Sequence, residues 1–323
     1  MRFAVLGAGA IGAYVGAVLC RAGEEVTLIA RGRHLQAMSE HGVQVESPLG
    51  DFQARPAATS DIAAVSEADV VFVGLKAYSL PGLAPRLGGL IRPDAVAVFA
   101  QNGVPWWYFQ EHGGELDGRT LESVDPGGAI RGAIAREQVV GCVVYCSTEI
   151  PAPGRIRHSE GTRFTIGTPG GERTETCRAI SQAMTGAGLK SPVDRDLRRQ
   201  IWVKLIGNVA LNPLTTILRS TLGGLAGSSH ATGYARETME ECAAVAAALG
   251  VQLPISVEQR LEGGLAVGDH RTSMLQDWEA GKPLESDCMT GAVVEIAGML
   301  DVPVPATTAL HGMVKAVEEL RDA

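Results

Sequence analysis

Lys204, Asn208 and Asn212 recur every four residues through the otherwise apolar stretch IWVKLIGNVALNP, residues 201–213. On a helix that spacing stacks one ammonium and two amides along a single face. Polar side chains in an apolar stripe are costly to bury without partners, so these three either satisfy one another or wait for a ligand. Reduction of a carbonyl is one reaction such a face suits. Negative charge develops on the oxygen and needs a proton donor. A lysine ammonium, whose ordinary pKa is about 10.4, can serve once partial burial brings it toward neutrality. Asn208 and Asn212 would then orient a carboxylate or hydroxyl without adding charge. Periodicity alone fits equally a snorkelling lysine with two satisfied core amides.

A second group lies at the N-terminus, where RFAVLGAGAIGAYVGAVLCRAGEEVTLIARG reads as strand, glycine turn, helix, strand. Residues 3–6 lead into Gly7-x-Gly9-x-x-Gly12, residues 11–19 have helical composition, and residues 26–30 form the second strand. The glycine pattern is weak alone, but between a strand and a helix it marks a dinucleotide turn. Gly7 makes the turn, Gly9 lets a pyrophosphate approach the backbone, and Gly12 permits close helix–strand packing. Ala8, Ala10 and Ile11 complete that turn, and the helix N-terminus offers its orphan N–H groups to phosphate. An NAD site places an acid about 20 residues on, for the ribose 2′-hydroxyl. Here the second strand ends in IARGR, with no acid. Arg31 would meet a 2′-phosphate through charge-assisted bonds, which favours NADP.

The elements that must position these groups follow an α/β pattern and then a helical one. Strands over residues 70–75 and 96–100 end on Lys76 and on Gln101-Asn102-Gly103. Ligands in open α/β sheets lie beyond the carboxyl ends of the strands, so Lys76 and Asn102 are placed to line the cofactor cleft. GVQVESPLGDFQARP reads as a hairpin, VVGCVVYCSTEI as a later strand, and PAPGRIRHSEGTRFTIGTPGG as short strands joined by Pro/Gly turns. His158 reads as an ordinary strand or turn residue. PWWYFQEHGGELDGRTLESVDPGGAI reads as a long insertion. Its adjacent tryptophans either cap a substrate, pack a partner surface, or form a small core of their own. From about residue 190 the pattern turns helical, with helices over 195–218, 229–249, 254–266, 287–300 and 305–321, and Pro213 is expected to kink the first or locally disrupt its hydrogen bonding. The expectation is an α/β fold with an N-terminal Rossmann-type dinucleotide-binding domain, residues 1–190, and an all-helical C-terminal domain, residues 191–323.

Composition excludes several classes. The chain has 323 residues, 46% of them hydrophobic and 20% charged, with a formal net charge of −8 and no basic run. Nucleic acid and acidic membranes are therefore unexpected partners. No signal-peptide pattern follows Met1, and no uninterrupted apolar run is long enough to span a bilayer. The six cysteines, Cys20, Cys142, Cys146, Cys177, Cys242 and Cys288, show no metal-ligand spacing and read as thiols of a reducing cytoplasm. No metal is expected. The helical half offers surface for a homodimer, though no stripe singles itself out.

Together the motifs resemble the ketopantoate reductase family. The resemblance rests on GAGAIG, Arg31, LKAYSL, QNG, PGRIRH, WVKLIGNVALNPLT and SMLQDWEAGKPLESD, and spans nearly the whole chain. It implies a Rossmann domain, a helical domain and catalysis in the cleft between them. The implied reaction is NADPH-dependent reduction of 2-dehydropantoate to (R)-pantoate, on the route to pantothenate and coenzyme A. Carried over by position, Lys204 would be the proton donor. Asn102, Asn208, Asn212 and Ser273 would bind substrate, with Asn102 also touching the nicotinamide. Lys76 would line the cofactor cleft, and Glu285 would lie by the cofactor ribose and the substrate hydroxyl. Two features depart from the family. Leu222 stands where members can carry a further substrate-binding Asn, and the PWWYF insertion is absent from compact members. A reductase of another branched or aromatic 2-keto acid, and a non-catalytic NADP-binding sensor, remain open alternatives.

Overall fold

Strands that are apolar on both faces are stable only when helices cover both sides of their sheet. β1 (Arg2–Leu6), β6 (Val70–Val73) and β7 (Val96–Phe99) are of this kind. They lie at the centre of a nine-stranded sheet in a computed structural model that describes residues 1–322. The remaining strands are β2 (Glu25–Ile29), β3 (Val43–Glu46), β4 (Phe52–Ala54), β5 (Ala57–Thr59), β8 (Val139–Ala152) and β9 (Arg155–Gly167). The strand order is β4-β3-β9-β8-β7-β6-β1-β2-β5, and the run from β8 to β5 is parallel throughout. From β1 the chain passes to β2 on one side and later to β6 on the other, which makes the carboxyl end of β1 the switch point of a Rossmann-type sheet. The sheet belongs to the first of two compact units, Met1–Gln101 with Trp106–Thr120 and Gly127–Leu197. The second comprises Asn102–Pro105, Leu121–Pro126 and the chain from Arg198 onward.

Residues 43–54 form the expected hairpin, with β3 and β4 antiparallel. The stretch after residue 151 does not break into short strands. It forms the 13-residue β9, antiparallel to the 14-residue β8. Gly161, which invites reading as a strand end, sits opposite a register shift between Tyr145 and Ser147. A Cβ there would lie 2.4 Å from the Tyr145 carbonyl, so this glycine marks a bulge inside the ladder. His158 is an interior strand residue: its Nδ1 bonds Ser47 Oγ at 2.8 Å, its Nε2 bonds the Gly161 carbonyl at 2.7 Å, and its ring stacks on Tyr14.

The aromatic insertion proves to be core. Trp106, Trp107, Tyr108 and Phe109 are each at most 4% exposed. Trp106 packs edge-on against Phe99, and the Trp107 ring fills the space above Gly141, where a Cβ would lie 2.2 Å from Cζ2. These rings pack within the first unit, so they neither cap a substrate nor face a partner.

The helices before the transition are α1 (Ala10–Arg21), α2 (Gly32–His41), α3 (Leu80–Gly88), α4 (Ala129–Ala133) and α5 (Glu175–Gly186). The second unit is helical: α6 (Leu197–Leu218), α7 (Leu222–Ala226), α8 (Ser229–Ala248), α9 (Val257–Leu265), α10 (Ser273–Glu279), α11 (Ala292–Met299) and α12 (Pro305–Asp322). A π-turn, Asp287–Gly291, leads into α11. Side-chain caps set several boundaries: Thr221, Ser228, Ser256 and Thr272 each accept a backbone N–H of the following turn. Glu241 accepts from the N–H groups of Ala306 and Thr307 and so closes the start of α12. Leu222 is buried at the start of α7. The helix α6 continues through Pro213 rather than ending there; the carbonyl of Asn212 accepts the hydroxyls of Thr215 at 2.9 Å and Thr216 at 2.8 Å. At 22 residues α6 is long and apolar enough to cross a bilayer by length and mean hydropathy alone, but Lys204, Asn208 and Asn212 interrupt its apolar run and 72% of its most apolar window is buried inside the protein.

Replacing Trp107 by Ala is expected to remove about 3–5 kcal/mol of unfolding free energy, read from urea denaturation. A loss under about 1 kcal/mol would mean that the ring is not a core element.

Candidate active site

In the first unit the candidate groups gather at the carboxyl ends of β1, β2 and β6. Gly7 follows β1 with φ +91°, and its N–H and that of Ala8 both donate to the Ile29 carbonyl, tying the turn to the end of β2. A Cβ on Gly7 would lie 2.8 Å from the backbone nitrogen of Leu75, and one on Gly12 would lie 2.3 Å from the Gly7 carbonyl. These two glycines therefore serve packing. Gly9 differs: a Cβ there would meet nothing within 4 Å. It precedes Ala10 and Ile11, the first residues of α1, whose opening turn carries no acid. An open backbone with orphan N–H groups and no competing carboxylate fits the phosphates of a dinucleotide.

Arg31 stands just past β2 as the N-cap residue of α2, in extended conformation and solvent-exposed. No carboxylate occupies that strand end, so the donor set suits a phosphate better than a ribose diol. His34, one turn into α2, was not singled out by the sequence. Its Nδ1 accepts the Gly154 N–H at 3.0 Å, which anchors the first turn of α2, and so Arg31, to the β8–β9 hairpin. Burial lowers the His34 pKa against the opposing pull of the Ala8 carbonyl, which keeps Nδ1 free to accept. Lys76 is half-buried beyond β6. Gln101 closes the rim, donating to the carbonyls of Val73 at 2.8 Å and Leu75 at 3.0 Å.

The second unit brings together the polar face of α6. Lys204 Nζ donates to Asn102 Oδ1 at 2.7 Å, a contact between residues 102 positions apart. Asn102 reaches that point because the next residue is Gly103, at φ +82°; a Cβ there would lie 2.2 Å from the Cys288 carbonyl. The Val104 N–H donates to the same carbonyl at 2.7 Å, so the QNG turn is docked on the π-turn. Asn212, 5% exposed, donates its amide to Met289 Sδ at 3.7 Å in that turn. Glu285, also 5% exposed, lies just before the turn, and its carbonyl accepts from Cys288 Sγ at 3.4 Å. Asn208 is half-buried between Lys204 and Asn212 on the helix.

Ser273 is exposed at the first position of α10 and is tied to α6 through its neighbour Thr272. Thr272 Oγ1 accepts the Leu275 N–H and lies 2.7 Å from Thr215 Oγ1, whose own proton goes to the Asn212 carbonyl. Hydroxyl donation therefore runs from Thr272 to Thr215 to Asn212. This relay links the start of α10 to the polar face of α6, and no sequence pattern signalled it. Among the described residues no group of three or more His, Cys, Asp and Glu side chains could hold a metal ion, and none of the six cysteines is in a disulfide.

Comparison with known proteins agrees with both halves. Residues 3–171 match the family model described as ketopantoate reductase PanE/ApbA, and residues 196–318 match its C-terminal counterpart. A 2-dehydropantoate 2-reductase of Mesorhizobium japonicum is 41% identical over 316 residues, covering 98% of this chain and 97% of the relative. The crystal structure of a Ralstonia solanacearum MolK2 homologue is similar with a TM-score of 0.92 at 36% identity, covering 99% of this chain and 98% of that one. A PanE/ApbA family ketopantoate reductase from Ralstonia eutropha JMP134 has a TM-score of 0.86 at 31% identity over the full length of both chains. With both family models matched and a relative this similar end to end, the chain is an oxidoreductase belonging to the ketopantoate reductase family.

Proposed function

We propose that this chain reduces 2-dehydropantoate to (R)-pantoate with NADPH, a step toward pantothenate and coenzyme A. The observation that carries the reading is the 2.7 Å hydrogen bond from Lys204 Nζ to Asn102 Oδ1, which holds an ammonium on the polar face of an apolar helix. The nicotinamide, when bound, supplies the hydride that the carbonyl carbon accepts. Lys204 donates the proton that the carbonyl oxygen needs as charge develops on it. Asn102 fixes the direction of the ammonium and takes part in substrate binding and at the nicotinamide end. Asn208, Asn212 and Ser273 bind the hydroxyl and carboxylate of the substrate. Glu285 serves the substrate hydroxyl and the cofactor ribose.

Gly7, Ala8, Gly9, Ala10, Ile11 and Gly12 would cradle the pyrophosphate, and Lys76 the neighbouring part of the cofactor. Arg31 would take the 2′-phosphate. The open backbone at Gly9 and the exposed guanidinium at the end of β2 support that assignment. The burial of the Trp106–Phe109 run removes the aromatic motive for a bulkier substrate, since those rings are engaged in packing. The sensor alternative gives no reason for a lysine oriented by an amide beside Asn208, Asn212, Ser273 and Glu285. A cytoplasmic enzyme, and a homodimer through its helical half, complete the reading.

The direct test follows the loss of NADPH absorbance with 2-dehydropantoate and with bulkier and aromatic 2-keto acids. Preferred turnover of 2-dehydropantoate is expected; preference for another acid would reassign the substrate, and silence with NADPH bound would favour the sensor. Lys204→Ala is expected to lower kcat by about 10²- to 10⁴-fold with the NADPH dissociation constant nearly unchanged. Unchanged turnover in that variant would end the proton-donor assignment. Arg31→Ala is expected to weaken NADPH by about 10- to 100-fold and NADH far less, in paired titrations. Equal losses for the two cofactors would refute the 2′-phosphate contact.

A further inference from the structure

An arginine outside the family's site pattern lies against α6 beside the edge of its polar face that Lys204 occupies. The guanidinium of Arg260, on α9, covers Gly207 so closely that a Cβ at Gly207 would lie 2.6 Å from Nη2, 2.8 Å from Nε and 2.9 Å from Cζ. Gly207 comes three residues after Lys204, on the side of it away from Asn208. Helical rotation puts it about 60° around α6 from Lys204. One turn further along α9, Gly264 repeats the close approach, since a Cβ there would lie 2.6 Å from Leu211 Cδ1. Arg260 and Gly264 are four apart and so share one face of α9, the face applied to α6.

The electrostatics of Arg260 are unusual for this chain. Arg236, on the preceding helix α8, pairs with Glu258 at 2.8 Å, and Arg271 pairs with Glu279 at 3.0 Å. Arg260 is half-buried, its side chain makes no ion pair or hydrogen bond among the described residues, and its Nε is fully buried without an acceptor. A guanidinium brought out of water without an anion is costly, and its donor fork matches a carboxylate in bidentate geometry. The proposed substrate carries a carboxylate, while Asn208, Asn212 and Ser273 are neutral and Lys204 is committed to the carbonyl oxygen.

We propose that Arg260 binds the carboxylate of the 2-keto acid and is the residue by which the site selects an acid over a neutral ketone. The inference rests on the reading of α6 as the keto acid site. Arg260 adds a cation beside that face: the carbonyl oxygen meets Lys204, and the carboxylate meets the guanidinium over Gly207. Gly207 is part of the device, because any side chain there would push the guanidinium away.

The experiment compares a 2-keto acid with its methyl ester in steady-state NADPH oxidation, for the parent enzyme and for Arg260→Met, Arg260→Lys and Gly207→Ala. The parent is expected to favour the acid. In Arg260→Met the KM for the acid should rise by about 10- to 100-fold while the ester kinetics stay as they were, so that the acid-over-ester preference collapses. Arg260→Lys keeps a charge without the fork and should retain part of the preference. Gly207→Ala should lose part of it with the charge still present. An acid-over-ester ratio that is the same in Arg260→Met as in the parent would overturn the proposal, as would equal losses on acid and ester, which mark a structural role. If Arg260→Met does not fold, Arg260→Lys and Gly207→Ala are read by the same ratio. A parent that reduces no 2-keto acid overturns the functional reading as well. A parent that does, with the ratio unmoved in the variants, overturns the Arg260 assignment alone.

Discussion

An ammonium set among the apolar residues at the middle of α6 is the constraint on which the second unit turns. Lys204 is flanked along α6 by Trp202, Leu205, Ile206 and Val209, each at most 3% exposed. A charge among such neighbours is tolerated only where polar groups are delivered to it, because desolvation otherwise outweighs the packing gained. Asn102 is delivered by a turn whose next residue must lack a side chain, since the Cys288 carbonyl occupies the place of the Gly103 Cβ. That carbonyl belongs to a π-turn, a local widening of the helix that recurs at functional sites. Its Met289 meets the Asn212 amide, and its entrance is Glu285. Asn102, Asn212 and Glu285 are thus held by one piece of backbone, and a shift in any of them strains the others.

The dinucleotide end is governed by a different economy, in which backbone rather than side chains makes the site. Gly7 and Gly12 are needed because their surroundings are full, and Gly9 is needed because its surroundings are empty. Only the last has the character of a binding surface. Arg31 depends on the placement of α2, which the half-buried His34 secures through the Gly154 N–H. Loss of that bond would free the first turn of α2 without touching any residue that meets a ligand.

What could be read from the chain follows from how local each cause is. The glycine turn after β1, the absence of an acid after β2, and the four-residue recurrence of Lys204, Asn208 and Asn212 all act within a turn or two, so spacing reveals them. Ser273 and Glu285 carried no local signal and were reached only through resemblance to a family. The WWYF run was ambiguous because an exposed aromatic cluster and a buried one have the same composition; the space above Gly141 decides the matter. Gly161 misled for a related reason, since a bulge and a strand end both call for glycine. Thr215, Thr272, His34 and Arg260 were illegible because each acts across contacts between elements distant in sequence.

Gly207 shows how such a non-local role can still be argued once the packing is known. Glycine in the interior of a helix costs about 1 kcal/mol relative to alanine. A buried guanidinium nitrogen without an acceptor costs a further ~1–3 kcal/mol. Neither cost is offset by apolar packing at that point, because the atoms that fill the space over Gly207 are polar. A chain selected for stability alone would place alanine at 207 and a neutral side chain at 260. On the proposed reading both departures are accounted for by one added group, an anion that accepts from the guanidinium beside Lys204. On that reading Lys204 from α6 and Arg260 from α9 have separate tasks, the first to give up a proton during the reaction and the second to hold its charge. Lysine suits the first because its ammonium can lose a proton under the influence of its surroundings, and arginine suits the second because its guanidinium stays charged throughout.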